Sequence, residues 1–336
     1  MISAALAVNL PVHVGKARSM ATTAAREAGL PAKAVDRVSI AASELASNLV
    51  KYACEGLLAV VASPRGFDLL ATDRGPGLRR PEEALRDGYS TSGSLGTGLG
   101  GVRRLADEFD LYSRYGEGTT VLARWVPETL PETLPVLGLH IGAAVFTAPG
   151  ETVSGDAWTV VRSEGLVTFV VADGLGHGPD AAAASAAAVS HVAAMPAAPP
   201  AALLEAMDAD RAAARGSAVA IAQFDLARNR LWFSGVGNIA ARLYSATGSH
   251  ETLVSVPGIV GRRQRRGRRA DPLMRSWSEE SRLIMHTDGV SERWNAADLH
   301  DAFGHDAATV AGWLLGQHCR RRDDACVLVV GGGDTR

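Results

Sequence analysis

Residues 41–53 read AASELASNLVKYA, from Ala41 through Glu44 and Asn48 to Ala53. Glu44 and Asn48 are four apart and share one helix face, while Ile40, Leu45 and Leu49 can point to a core. Alone, an acid and an amide beside an apolar stripe read as a solvated polar pair. Two downstream stretches change that reading. Asp73-Arg-Gly-Pro-Gly77 ends an apolar strand, so its aspartate can accept a base amino hydrogen while the glycines let a ligand approach. Ser94-Leu-Gly-Thr-Gly-Leu-Gly-Gly101 then opens into a helix over Val102–Phe109. Glycines that feed a helix N-terminus supply free amides and a positive dipole end, which suits phosphates.

The chain that carries these motifs has 336 residues, about two domains' worth. With 47% hydrophobic and 21% charged residues and a net charge of -2, it is neither disordered, collagen-like nor a strongly basic nucleic-acid binder. Cys54, Cys319 and Cys326 lack CxxC spacing, so no disulfide framework or thiolate zinc site is expected and a reducing cytosol fits. No run of ~18 strongly apolar residues exists to cross a membrane. The opening MISAALAVNLPVHVGKARS has no basic segment before its short apolar run and reads as a first strand rather than a signal peptide. The expected location is cytoplasmic, without a membrane partner.

Pro127–Pro135, PETLPETLP, repeats a four-residue unit with three prolines and suits neither helix nor central strand. It reads as a stiff linker. The expected division is therefore 1–126, a linker at 127–138, and 139–332. Before the linker come helix-like stretches at 16–29 and 32–54, strands at 57–63, 67–73, 110–115 and 119–125, and a helix near 101–108. After it come apolar strands that end in acidic turns, 166–172 and 282–287, with Ala-rich helices behind the first. Both parts mix helices with hairpin-joined strands, which predicts an α+β fold twice.

The order and spacing of the three motifs in the first part resemble the N, G1 and G2 boxes of the GHKL ATPase family. SELASNLVKYA, STSGSLGTGLGGVRRLADEFD and GEGTT further resemble the RsbT/RsbW anti-sigma-factor serine kinases over nearly all of residues 1–126. That resemblance implies a Bergerat-type α/β sandwich that binds Mg²⁺-ATP. It makes Glu44 the base for a substrate serine hydroxyl and Asn48 a Mg²⁺ ligand. Asp73 would contact adenine, and Gly75, Gly77, Gly96, Thr97, Gly98, Leu99 and Gly100 would shape the phosphate pocket under a mobile lid at 78–94. These roles suit phosphoryl transfer, which needs positioning, a metal and an oriented nucleophile. A sensor histidine kinase would need a helical hairpin with a phosphoacceptor before the N box. Only His13 precedes it, on a strand-like segment.

Four acidic turns recur after the linker: Ser154-Gly-Asp156, Ala172-Asp-Gly-Leu-Gly-His-Gly178, Thr287-Asp-Gly-Val290 and Arg322-Asp-Asp324. A single Asp-Gly is an ordinary hairpin turn. Four in one domain suggest convergent carboxylates, and hard oxygen ligands without Cys or paired His favour Mg²⁺ or Mn²⁺. Two such ions can hold and activate a water for attack on a phosphate. SGDAW, VADGLGHG, FSGVGN, HTDGV and DDACVLVV resemble the SpoIIE/RsbU/RsbX branch of the PPM-type serine/threonine phosphatases along residues 140–331.

That second resemblance implies an α-β-β-α sandwich with two Mn²⁺ or Mg²⁺ ions. Asp173 would bridge both, the Gly174 carbonyl would join the first, Asp156 would serve it mostly through water, and Asp288 and Asp323 would hold the second. Register leaves Asp324 as the alternative to Asp323, which is favoured. His177 reads as a helix-entry residue before it reads as an acid. The turn Ser234–Asn238 is assigned no chemistry, and no phosphate-gripping arginine is assigned. Gly261–Arg269, GRRQRRGRR, packs six arginines into nine residues and reads as a solvated loop, then as a patch for an acidic protein, with nucleic acid last.

Joined on one chain, the two resemblances imply a regulator of sigma-factor partner switching. Its kinase and phosphatase halves would act on STAS-domain proteins of the anti-sigma antagonist or stressosome type. A sigma-factor regulator is a further partner, and a homodimer is left open. The alternative is a phosphatase whose GHKL half is a catalytically silent, nucleotide-gated binding module.

Overall fold

The computed structural model of the protein describes residues 2–85, 98–127, 138–210, 215–245, 247–261, 270–294, 299 and 301–332. They fall into two compact units. The first comprises Met1–Leu134, Gly142–Ala144 and Asp301–Gln317, and the second Pro135–Ile141, Val145–His300 and His318–Arg336. Most of the Pro-rich stretch, 128–137, lies outside the described residues, as does the arginine run 262–269.

The first unit begins with β1 (Ser3–Ala7), α1 (Pro11–Glu27) and α2 (Ala32–Tyr52). Pro11 occupies the first turn of α1, where a missing amide costs nothing and a fixed φ helps. His13 therefore sits on a helix and not on the strand expected for it. In α2, Val35, Val38, Ala42, Leu45, Ala46 and Leu49 recur at helical spacing and are buried. Ile40, expected in that core, is 53% exposed. It lies four residues before Glu44, on the stripe of Glu44 and Asn48, one step round from the core face. The hairpin β2 (Leu57–Ser63) and β3 (Gly66–Asp73) follows, then the single turn α3 (Pro81–Ala84), α4 (Gly98–Leu105), β4 (Glu108–Arg114) and β5 (Gly118–Trp125). The strands form one antiparallel sheet, ordered β1-β2-β3-β5-β4. Phe67, Leu69, Ala71, Val121, Ala123 and Trp125 alternate onto the face that shares a core with Leu45, Leu49 and Val102 of the helices.

The second unit contains two five-stranded sheets. Its elements are β6 (Leu139–Phe146, of which Gly142–Ala144 are assigned to the first unit), β7 (Asp156–Ser163), β8 (Leu166–Gly174), α5 (Pro179–Ala194), α6 (Pro200–Ala209), β9 (Ser217–Asp225), β10 (Arg230–Val236), β11 (Ala240–Tyr244), β12 (His250–Thr252), β13 (Leu273–Ser276), β14 (Arg282–His286) and β15 (Ala325–Gly332). The sheet orders are β13-β10-β9-β8-β7 and β12-β11-β14-β15-β6. Val170, Ala172, Val219 and Ile221 of the first sheet pack under Ala188, Val192, Leu203 and Met207 of α5 and α6. Pro196, Pro199 and Pro200 break the Ala-rich run, and Pro200 opens α6.

The segment Asp301–Gln317 belongs to the first unit. A short 3₁₀ turn, Asp301–Gly304, leads into α7 (Ala307–His318), whose residues Ala307 to Gly316 are all buried. A helix apolar all round has no solvent face to offer. Its neighbours include the second face of the first unit's sheet. Gly312 sits against Leu70 and Thr120, and a Cβ on Gly316 would come within 2.1 Å of Thr72 Oγ1. Beside them Arg124, whose side chain is fully buried, pairs with Asp68 at 2.5 Å and Asp306 at 2.9 Å. The two carboxylates hold the guanidinium pKa well above its ordinary value despite burial.

Candidate functional site

In the first unit, Glu44 and Asn48 line a cleft of about 390 Å³. Ala71, Pro76, Gly77, Leu78 and Ala84 form one part of its wall, Gly98 and Leu99 another, and Thr119 and Val121 a third. A helix face, the strand-end loop and the start of α4 thus converge as their motifs predict. Gly77 is held at φ +64, and a Cβ there would fall 2.1 Å from the Arg114 carbonyl, so no other residue fits this bend. Gly100 is buried within α4 and does not line the cleft. Gly96 and Thr97, with most of the expected lid at 78–94, lie outside the described residues.

Asp73 stands at the end of β3, directly opposite Thr119 of the cleft wall, but is not itself on the lining. Its Oδ1 accepts the Gly75 amide at 2.6 Å. Burial pushes the carboxyl up to about 6, opposed by that Gly75 amide. Thr119 is a lining residue that sequence reasoning gave no role, although it lies in the GEGTT stretch.

The acidic turns of the second unit meet at strand ends. Asp173, Asp288 and Asp323 line one open cleft of about 460 Å³ together with Leu175, Gly176 and Asn238. Asp156 and Gly174 are not on its lining. Asp156, 7% exposed, is paired directly across the β7–β8 ladder from Asp173. Burial, then the charges of Asp288, Asp323 and Asp324, push Asp173 up to about 7. Burial, then the charge of Asp173, carries Asp156 well above the carboxylate range, although Thr287 opposes this. Thr287 Oγ1 donates to Asp156 Oδ2 at 2.6 Å and accepts the Cys326 amide at 2.9 Å. A Cβ on Gly174 would meet the Ala181 carbonyl at 2.0 Å, so α5 approaches the Asp173-Gly174 turn at backbone distance.

Asp323 and Asp324 have different neighbours. Both oxygens of Asp324 accept backbone amides, from Ala148 and Gly155, each at 2.8 Å. Asp323 Oδ1 accepts the Asp324 amide at 2.9 Å, and its side chain reaches the cleft. Two further partners had no assigned chemistry in the sequence: Thr287, and Asn238, whose Nδ2 donates to Asp288 Oδ2 at 2.8 Å. Each lies within or beside a quoted motif, yet only the fold reveals its partner. His177 lies beside the entry to α5, two-thirds exposed, with Nδ1 2.5 Å from Glu151 Oε1.

Among the described residues no three His, Cys, Asp or Glu side chains close around a single point. Mg²⁺ does not need them to, since it keeps several waters and binds through one or two carboxylates. The test of fit is electrostatic. Like charges directly opposite on adjacent strands are unfavourable. Asp156 and Asp173 are both shifted upward, first by burial and then by neighbouring acids, Asp173 acting on Asp156 and Asp288, Asp323 and Asp324 on Asp173, and divalent cations would relieve that crowding.

Residues 7–125 match the family described as Histidine kinase-like ATPase domain, and residues 163–331, just over half of the chain, match Stage II sporulation protein E (SpoIIE). The chain is similar to the serine/threonine-protein kinase RsbT of Bacillus subtilis (strain 168), 42% identical over 115 residues, which are 33% of this chain and 86% of RsbT. A solved chain from work on the bacterial stressosome, "a modular system that has been adapted to control secondary messenger signaling", superposes with a TM-score of 0.53 and 26% identity. That match covers 57% of this chain and 98% of the other. The molecule is a two-domain α+β enzyme, a GHKL-like domain followed by a PPM-type serine/threonine phosphatase domain. It belongs to the SpoIIE family, and its first part to the family of RsbT.

Proposed function

We propose that this chain is a bifunctional regulator of sigma-factor partner switching, one part adding phosphate to a serine or threonine of a STAS-domain protein and the other removing it. The carrying observation is that both clefts are lined by residues suited to that chemistry on one polypeptide: Glu44 and Asn48 in one, Asp173, Asp288 and Asp323 in the other. A decayed binding module has no reason to keep either set.

In the first part, Glu44 would take the proton of the attacking hydroxyl and Asn48 would hold the Mg²⁺ of ATP. Asp73 would accept the adenine amino hydrogen, and Gly77, Gly98 and Leu99 on the cleft wall, with Gly96 and Thr97, would enclose the phosphates, while Gly75 and Gly100, which are not on the lining, would shape the turn and helix behind them. In the second part, Asp173, with the Gly174 carbonyl, Asp156, Asp288 and Asp323, would hold a pair of Mn²⁺ or Mg²⁺ ions. The bound pair supplies charge neutralisation and water activation for phosphoester hydrolysis. Thr287 orients Asp156, Asn238 orients Asp288, and Asp324 secures the loop that carries Asp323. Asp324's use on two backbone amides favours Asp323 as the ligand.

Labelled ATP, Mg²⁺ and a STAS-domain protein incubated with the Asp173→Asn chain should give a stable phosphoprotein. Adding Glu44→Ala should abolish it. Nucleotide binding without transfer would support the second reading, a phosphatase gated by a silent nucleotide module.

A further inference from the structure

The corner that carries Asp73 is fixed by a residue 244 positions further along the chain, since Gln317 Nε2 donates to the Asp73 carbonyl at 2.9 Å. The next residue is held from the same helix end, with Arg74 Nε donating to the Gly316 carbonyl at 2.9 Å. The Arg74 amide donates to Cys54 O, also at 2.9 Å, beyond the end of α2. Three anchors therefore grip the turn from β3 into Gly75–Gly77, and two of them come from the last turn of α7. The helix reaches this corner because Gly312 and Gly316, four apart on one face, let its backbone settle onto Leu70 and Thr72. Gly118 completes the contact. Any side chain there would strike the Asp73 carbonyl at 2.0 Å and Gln317 Nε2 at 2.9 Å.

We propose that Gln317 is a positioning residue for base recognition, holding the Asp73 main chain so that the carboxylate on the same residue meets the adenine amino group. The proposal rests on the reading of Asp73 as the base contact. Its physical content is that Asp73 is pinned at both ends, its carboxylate by the Gly75 amide and its carbonyl by Gln317. A hydrogen bond to a base is directional and weakens steeply when its acceptor shifts or tilts. Releasing the carbonyl frees the residue to tilt, and the loss falls on a ligand with an amino group at that position. Guanine presents a carbonyl there and has nothing to lose. Segment 301–317 is thereby part of the nucleotide site although it follows the phosphatase motifs up to Asp288 in sequence.

The test uses the full chain and N-methylanthraniloyl-labelled ATP and GTP, with affinity read by fluorescence titration and folding by melting temperature. Gln317→Ala should weaken the ATP analogue about three- to tenfold, the range for loss of one neutral hydrogen bond, and leave the GTP analogue within about twofold. Gln317→Leu keeps the packing volume and should behave the same, which guards against a folding defect in the alanine variant. Equal weakening of both analogues, or of neither, overturns the positioning role. If the wild-type chain binds the two analogues equally well, the base-contact reading of Asp73 fails instead, a separate and recognisable outcome.

Discussion

Asp156 and Asp173 face one another across adjacent strands, and both carboxyls are shifted upward by burial and by neighbouring acids. The shift has a defined sign in stability. Asp173 at about 7 and Asp73 at about 6 bind protons more tightly in the folded chain than at their ordinary value of 3.8. Each therefore contributes stability below about pH 4 that is lost as pH rises through its folded value. The metal-free chain should lose stability relative to Asp173→Asn between about pH 4 and 7. Mn²⁺ competes with protons for the same carboxylates, so it should raise the melting temperature more at pH 8 than at pH 5. An equal or larger rise at pH 5 would contradict the carboxylate assignment. At this scale the sequence marked nearly every acid, because Asp-Gly turns at strand ends are visible as text. It favoured Asp323 over Asp324 without sight of a physical ground, because the amides of Ala148 and Gly155 that Asp324 accepts lie about 170 residues away. Thr287 and Asn238 were invisible for the same reason: their partners come from other strands.

Among the elements, α2 was legible and α7 was not. The period of α2 is strong enough to place Glu44 and Asn48 together, and its one misplaced residue, Ile40, follows from reading the stripe one step too wide. Residues 307–316, AATVAGWLLG, carry no period, and a helix apolar all round announces burial without naming what buries it. The second face of β3 and β5 shows the same limit, because no motif marks Asp68 or Arg124, yet their side chains are fully buried as a pair. Arg124→Ala leaves Asp68 without its cation and removes the tie to Asp306. It should destabilise the first unit by about 3–5 kcal/mol in chemical denaturation, the cost of orphaning a buried partner. A loss below about 1 kcal/mol, the range of a surface pair, would mean that the cluster is solvated.

For the whole molecule, the resemblances to GHKL kinases and PPM-type phosphatases were carried by motifs that survive as linear text, and both fold assignments follow from them. The compact units cut the chain differently from its motifs, because Asp301–Gln317 joins the nucleotide unit while His318–Arg336 joins the phosphatase unit. No local pattern announces such an exchange, since contacts across nearly 250 residues leave no period behind. The proposal for the whole chain is that one part moves a phosphoryl group from ATP onto a STAS-domain protein and the other releases it to water as inorganic phosphate. The most direct test is to isolate the STAS phosphoprotein made by the Asp173→Asn chain, free it of ATP, and add wild-type chain with Mn²⁺. The account predicts release of inorganic phosphate by the wild type and none by Asp173→Asn. A phosphoprotein that the wild-type chain leaves intact, or that both chains hydrolyse equally fast, would contradict it.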